Sequence, residues 1–176
     1  MPIKKNTGRP GREPKQAMKE PDAVYKSLPG HESFVISRAV HFMGGRSAGF
    51  VGVKEEEDLI AFIKKGIPRK ALDQLMLVIG LNSIELASVM HTSDRTLRRY
   101  KPSKLLNPGQ SERVIELARL YSRGEEVFEN LDAFKEWMES TVKALGNKKP
   151  KEFLDTSLGI EMLNDELGRI EQGVFA

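Results

Sequence analysis

Cysteine is absent from the 176 residues, which excludes disulfides and thiolate metal sites and leaves the redox compartment open. Histidine is scarce, limited to His31, His41 and His91. None has a second histidine or an acid at ligand spacing on a helix face, and His31-Glu32 is a lone dipeptide, so no metal site is expected. No apolar run approaches the roughly 20 residues that a membrane-spanning helix needs. The basic start, MPIKKNTGRPGREPKQ, is not followed by the apolar stretch of a secretory signal. A cytoplasmic chain without a membrane is therefore expected. The stretch GGRSAGFVG lacks the Gly-Lys-Ser/Thr ending of a phosphate loop. The run Glu55-Glu56-Glu57 sits where a helix starts and favours its dipole. Phe134 and Trp137 stand three apart, as core residues of a helix do. No nucleophile–base pair can be assembled. We expect no catalysis and no cofactor.

What is present is an uneven charge. Net charge is only +3, but residues 1–54 carry ten Lys/Arg against four Asp/Glu. Ser93–Lys104 holds five basic residues against Asp94 alone, and Lys151–Ala176 holds two basic against six acidic. The first of these two segments suits a polyanion, and the second suits a basic protein surface.

Residues 1–21 are rich in Lys, Arg, Pro and Gly, with Ile3 and Met18 as the large apolar exceptions. Such a segment cannot bury enough surface to offset its ordering entropy, and reads as a disordered basic arm. Between 22 and 54, SFVISRAVHFM fits a short helix and the Gly-rich stretch a loop, with no firmer assignment. From Glu55 the pattern is helical. EEEDLIAFIKKG places acids first and lysines last, with Gly66 as the stop and Leu59, Ile60, Phe62 and Ile63 as the apolar face. Pro68 suits the first turn of RKALDQLMLVIG, which ends at Gly80. Ser83, Ser93 and Ser111 are read as caps of the next three helices. Asp132 starts AFKEWMES, Pro150 precedes KEFLDT, and Thr156 opens a last helix striped by Leu158, Met162, Leu163, Leu167 and Ile170. The fold class expected is all-α: a helical bundle with short loops.

The sharpest local motif is SIELASVMHTSDRTLRRYK, residues 83–101. A helix-turn-helix needs two short helices crossing steeply, with a small residue at the contact. Ala87 fits that position, with Leu86, Val89 and Leu97 facing inward. The candidate DNA-binding residues are Ser93, Arg95, Thr96, Arg98, Arg99, Lys101 and Lys104. The earlier ones can reach base edges, and the later basic ones phosphates. The plainer alternative is a helical hairpin with a solvated basic face. One such unit binds DNA weakly, so a homodimer on a two-fold operator is expected.

The chain keeps its apolar stripe almost to the end and finishes Gly173-Val174-Phe175-Ala176. Such an end docks either on the chain's own body or on a partner. Here the residues resemble a family. Val127-Phe128, Phe134 with Trp137, Ala144-Leu145-Gly146, Pro150, Leu154 with Thr156, Gly159, Leu167, Ile170-Glu171 and Gly173 resemble the toxin-binding region of Xre/MbcA/ParS-type antitoxins. Glu85-Leu86-Ala87 and Thr96-Leu97 with the following basic run match the helix-turn-helix upstream, so the resemblance spans roughly residues 55–176.

The resemblance implies a partner toxin of the RES type, which acts on NAD⁺. It implies a C-terminal segment that covers the toxin's active site, and a helix-turn-helix part that dimerises and represses the operon. Carried over residue by residue, the toxin-binding set is Leu154, Thr156, Gly159, Leu163, Leu167, Ile170, Glu171, Gly173, Val174 and Phe175. The domain division is then 1–54 arm and unassigned region, 55–123 helix-turn-helix and dimerisation domain, and 124–176 toxin-binding domain. Two other readings stay open: a helix-turn-helix repressor without a toxin, whose C-terminal stripe is a dimer interface, and an adaptor that never reads DNA specifically.

Overall fold

The computed structural model describes residues 31–173. The basic arm expected over residues 1–21 lies outside them, as do Val174 and Phe175. Eight α-helices follow in order: α1 His31–Phe42, α2 Glu56–Lys65, α3 Arg69–Ile79, α4 Ser83–Val89, α5 Asp94–Arg99, α6 Pro108–Val127, α7 Leu131–Glu139 and α8 Ser157–Glu171. Single 3₁₀ turns cover Gly45–Ala48, Lys143–Leu145 and Pro150–Phe153. Among the described residues there is no strand, only the isolated bridges Pro68–Leu105 and Val142–Lys148. The all-α expectation holds. No single described helix is long and apolar enough to cross a membrane.

The bundle is built around α6. Val114, Ile115, Leu117, Ala118, Leu120 and Tyr121 are all buried, so this helix is apolar around more of its circumference than a surface helix would be. α1, α2, α3, α7 and α8 all pack on it. The region left unassigned before residue 55 is part of this body. In α1, Val35, Ile36, Ala39 and Phe42 recur at helical spacing and are buried, followed by Met43. The Ser122 hydroxyl donates to the Val35 carbonyl at 3.0 Å. Arg38 grips Glu125 of α6 through two nitrogens, with Nη2–Oε1 at 2.6 Å, and lies over the Phe42 ring. The expected loop after α1 contains a 3₁₀ turn and delivers Phe50 onto Phe62 of α2.

Local chemistry sets most helix ends. α2 ends where Gly66 takes a positive φ of +88°, and a Cβ there would stand 2.5 Å from the Leu106 carbonyl oxygen. Pro68 precedes α3, and Gly80 closes it in the left-handed region. Three starts differ from expectation. The cap of α4 is Asn82, whose side chain accepts from the Ile84 and Glu85 amides while Glu85 reaches back to its N–H. That box outcompetes Ser83, now the first helical residue. α6 begins three residues before Ser111, capped by Asn107 with Pro108 in its first turn. Ser111 is buried in the helix instead: its hydroxyl donates to the Asn107 carbonyl at 2.9 Å and accepts the Ile67 amide at 3.1 Å. α7 is capped by Asn130 rather than Asp132.

The boundary expected at 123/124 falls inside α6. One continuous apolar cluster runs from Ile36 to Leu167, so the two functional segments share a core.

Candidate nucleic-acid and partner-binding surfaces

The first surface is built by α4 and α5. Ala87 is buried at their crossing with Leu86, Val89 and Leu97. α4 ends in a double hydrogen bond: the His91 amide donates to the Ser88 carbonyl and the Thr92 amide to that of Ala87, both at 3.0 Å. This closure requires the left-handed conformation at His91, whose φ is +48°. The chain is thereby turned into Ser93, whose hydroxyl accepts the Thr96 amide at 3.1 Å and caps α5.

The sequence-predicted residues divide on this surface. Ser93 and Thr96 serve each other, with hydroxyls 2.8 Å apart. Arg98 is engaged: Nε donates to Asp94 at 3.0 Å and Nη2 to the Ser83 hydroxyl at 3.4 Å. The hydrogen bond from Arg98 holds the Asp94 carboxyl below its ordinary range. Arg95, Arg99, Lys101 and Lys104 are exposed, and no ion pair of theirs is found among the described residues. Arg99, Lys101 and Lys104 line a shallow hollow together with Tyr100 and Ser103, which sequence reasoning missed. The loop carrying the lysines is fastened to the start of α3. The Arg69 amide donates to the Lys104 carbonyl at 2.8 Å, and the Lys70 amide to that of Pro102 at 2.9 Å. The result is a pre-formed cationic ledge rather than a loose tail.

The second surface lies at the other end of α6. Tyr121, Phe128, Phe134 and Trp137 form an aromatic cluster with ring centroids 5.2–5.7 Å apart. Gly124 permits it, since a Cβ there would stand 2.5 Å from three ring atoms of Phe134. Burial pushes the Tyr121 phenol well up, with Glu139 and Glu85 adding to the shift. Against α6, α8 turns one side inward. Leu154, Leu163 and Leu167 are fully buried, so as folded here they offer no surface to a partner. Thr156 caps α8 by accepting the Gly159 amide at 3.0 Å. Gly159 is buried beneath the Phe153 carbonyl. Five of the residues carried over from the resemblance thus build or hold the segment.

The outward side is different. Leu158 and Met162, one turn apart, remain 68% and 41% exposed, which makes them the apolar side chains available for contact. Glu161 and Asp165 are exposed on the same helix. Neither apolar residue was singled out as a contact, because periodicity placed both in one stripe with the buried leucines. Ile170 is half-buried, and Glu171 receives Arg123 Nη2 at 3.2 Å. Gly173, with φ +69°, caps the helix end by donating to Ile170.

A tie joins the two surfaces. Lys151 Nζ lies 3.1 Å from Glu85, in the capping box of α4, and 2.7 Å from Glu139 at the end of α7. Its hydrogen bonds to Glu139 and then Glu85 raise the lysine above its ordinary value. The same contact, helped by Lys149, lowers Glu139.

A helix-turn-helix carrying a helical extension, packed as one body, defines the class: a DNA-binding-type module joined to a segment with an outward apolar and acidic side. Residues 58–119 match the model of the antitoxin Xre-like helix-turn-helix domain. Residues 123–173 match that of the antitoxin Xre/MbcA/ParS C-terminal toxin-binding domain. The chain belongs to the Xre/MbcA/ParS antitoxin family. It is similar to "Antitoxin Xre" of Yersinia enterocolitica serotype O:8 / biotype 1B (strain NCTC 13174 / 8081), 29% identical over 121 residues, which are 67% of this chain and 81% of the relative. It is also similar to "Prs ADP-ribosylating antitoxin" of Sphingobium sp. (strain YBL2), 26% identical over 129 residues, covering 68% and 81%.

Proposed function

We propose that this antitoxin neutralises a RES-type toxin that consumes NAD⁺, by laying its C-terminal segment over the toxin's active site. It also represses its own operon, as a cytoplasmic homodimer binding the operator through the ledge of α5 and the following loop. It performs no catalysis of its own. The observation that carries this reading is the division of α8. Leu163 and Leu167 anchor it to α6, while Leu158 and Met162 stay exposed beside Glu161 and Asp165. A buried-core helix has no use for such an outer side, and a cleft shaped for a dinucleotide's phosphates is basic and accepts acidic neighbours. For DNA, the support is the set of exposed cations on a fastened loop beside a capped helix of the kind that enters a major groove.

The test is co-expression with the polypeptide encoded beside this chain, following growth and cellular NAD⁺. The full chain and a form ending at Gln172 are compared, the latter keeping all of α8. Full protection by the first and loss of it in the second is expected. A neighbour that is harmless alone, or equally toxic beside the full chain, overturns the reading. The name of the Sphingobium relative refers to ADP-ribosylation. NAD⁺ is the donor in that chemistry, so NAD⁺ loss registers hydrolysis and ADP-ribosyl transfer alike, and intact-mass analysis of cellular proteins separates the two.

A further inference from the structure

The glycine-rich turn between α1 and α2 lies beside the cationic ledge. It precedes residue 58, where the match to the helix-turn-helix domain begins, and the function proposed above makes no use of it. Gly44, Gly45 and Gly49 all have positive φ, a conformation that a side chain would strain. The Ser47 hydroxyl donates to the Gly44 carbonyl at 2.6 Å, and the Phe50 amide to that of Gly45 at 3.1 Å. Ala48 and Phe50 are buried, so the turn is anchored in the core. It also rests on α3: a Cβ on Gly44 would stand 3.1 Å from Gln74 Cγ. α3 is the helix to which the ledge is fastened. Lys70 joins the two, since its amide donates to the Pro102 carbonyl at 2.9 Å and its Nζ to the Ser47 carbonyl. A single lysine side chain thus spans the gap from ledge to turn. The side chain brought alongside is Arg46, which is exposed and has no ion pair among the described residues. Asp73, on the adjoining part of α3, is already paired with Arg69. Arg46, Lys70, Lys101 and Lys104, far apart in sequence, therefore lie along one positive strip.

We infer that the glycine-rich turn is a second contact to the DNA backbone: Arg46, carried on it, grips a phosphate beyond those reached by Lys101 and Lys104. This rests on the reading that the ledge binds the operator. A guanidinium meets a phosphate through two parallel N–H donors, and a turn already fixed by the core loses little freedom when it binds. Such a contact adds affinity and sets register but reads no base.

The test measures the affinity of the purified full-length chain by fluorescence anisotropy over a range of salt. The probes are the DNA upstream of its own coding sequence and a random duplex of the same length. Arg46→Ala, Arg46→Lys and Arg46→Glu are compared with Lys104→Ala on the ledge and with Lys135→Ala, which removes the same charge on α7. Circular dichroism melts and sedimentation serve as controls for fold and oligomeric state. Arg46→Ala is expected to weaken binding to both DNAs alike, by about three- to tenfold at moderate salt, and to reduce the salt slope by about 1. Arg46→Lys should keep the slope, Arg46→Glu should weaken binding further, and Lys135→Ala should bind like the parent. Ethylation interference locates the contact: a phosphate whose modification hinders the parent should cease to matter in Arg46→Ala. If Lys104→Ala and Arg46→Ala both bind like the parent, the ledge reading fails and takes this inference with it. If Lys104→Ala weakens binding but Arg46→Ala and Arg46→Glu keep the parental affinity and slope, the inference about the turn alone fails. It also fails if Lys135→Ala has the same effect as Arg46→Ala, since the charge then acts at a distance. An interference pattern in Arg46→Ala identical to the parent's would overturn it too.

Discussion

Gly159 sits directly under the backbone of Phe153: a Cβ built on it would lie 2.1 Å from the Phe153 carbonyl oxygen and 2.9 Å from the Thr156 hydroxyl. The start of α8 and the 3₁₀ turn before it can meet only because no side chain intervenes. Backbone cannot step aside as a flexible side chain can. We therefore expect Gly159→Ala to destabilise the fold by about 2–3 kcal/mol, as overpacking does. Gly173→Ala, where a Cβ meets open space and only the positive φ is strained, should cost about 1 kcal/mol. Urea unfolding followed by circular dichroism checks both. Equal costs would show that the Phe153 backbone yields to the added methyl and that the close approach does not govern Gly159.

How much of this was legible beforehand depends on where the information lies. The ends of α2, α3 and α5 are written in local chemistry: Gly66, Pro68, Gly80 and Ser93 each impose a conformation or supply an acceptor. Ser111 misled because Asn107-Pro108 is an equally good start three residues earlier. The Asn107 side chain takes the Gln110 amide at 2.8 Å, leaving Ser111 to bridge α6 to Ile67. The stripe on α8 was visible, but its inner and outer halves were not separable. Met162 and Leu163 are adjacent in sequence, and only the position of α6 decides which is buried. The ties of Arg38 to Glu125 and of Lys151 to Glu85 join residues 87 and 66 apart, beyond any local pattern. The integration of α1 was hidden for the same reason.

The Lys151 tie gives a pH-dependent signature. Glu139 is held below its ordinary value of 4.5 by the hydrogen bond from Lys151. Its share of stability is present above that value and lost as pH falls through the lowered one. Lys151 is raised above 10.5, so its share is complete below 10.5 and lost as pH rises through the raised value. Lys151→Met should therefore lower stability by roughly 1 kcal/mol, the worth of a partly exposed pair. The gap to the parent should stay flat from about pH 5 to pH 10 and narrow outside that window. Urea midpoints across pH measure it. A gap that widens below pH 4 would contradict this assignment of the ion pair.

On the cationic ledge the individual arginines should not be equivalent. Arg95 and Arg99 are exposed, whereas Arg98 must first give up Asp94 and Ser83. We expect Arg95→Ala and Arg99→Ala each to weaken operator binding by about tenfold or more, and Arg98→Ala by less. Replacing Arg98 and Arg99 together should abolish binding with helicity intact. Lys104→Ala should weaken operator and random DNA alike and reduce the salt slope by about 1. Gel shifts and fluorescence anisotropy over a range of salt separate these cases. Parental affinity in the Arg98 and Arg99 double variant would remove α5 from the interface.

The two sides of α8 make the last distinction. Leu163 is fully buried against α6, while Leu158 and Met162 face outward. Truncating the buried one removes transfer free energy and leaves a cavity, so Leu163→Ala should cost about 2–5 kcal/mol of stability. Loss of toxin neutralisation would follow only through unfolding, and should be relieved at lower temperature or higher antitoxin dose. Leu158→Glu with Met162→Glu touches no core. Its melting temperature should stay within a few degrees of the parent, while toxin affinity falls by about tenfold or more, through lost apolar burial and charges placed in the contact. Melting curves paired with calorimetric titration of the toxin read both quantities on each variant. If the outer double variant binds at full strength while Leu163→Ala, still folded, binds weakly, then α8 must turn over on docking, and the inner stripe is the contact after all.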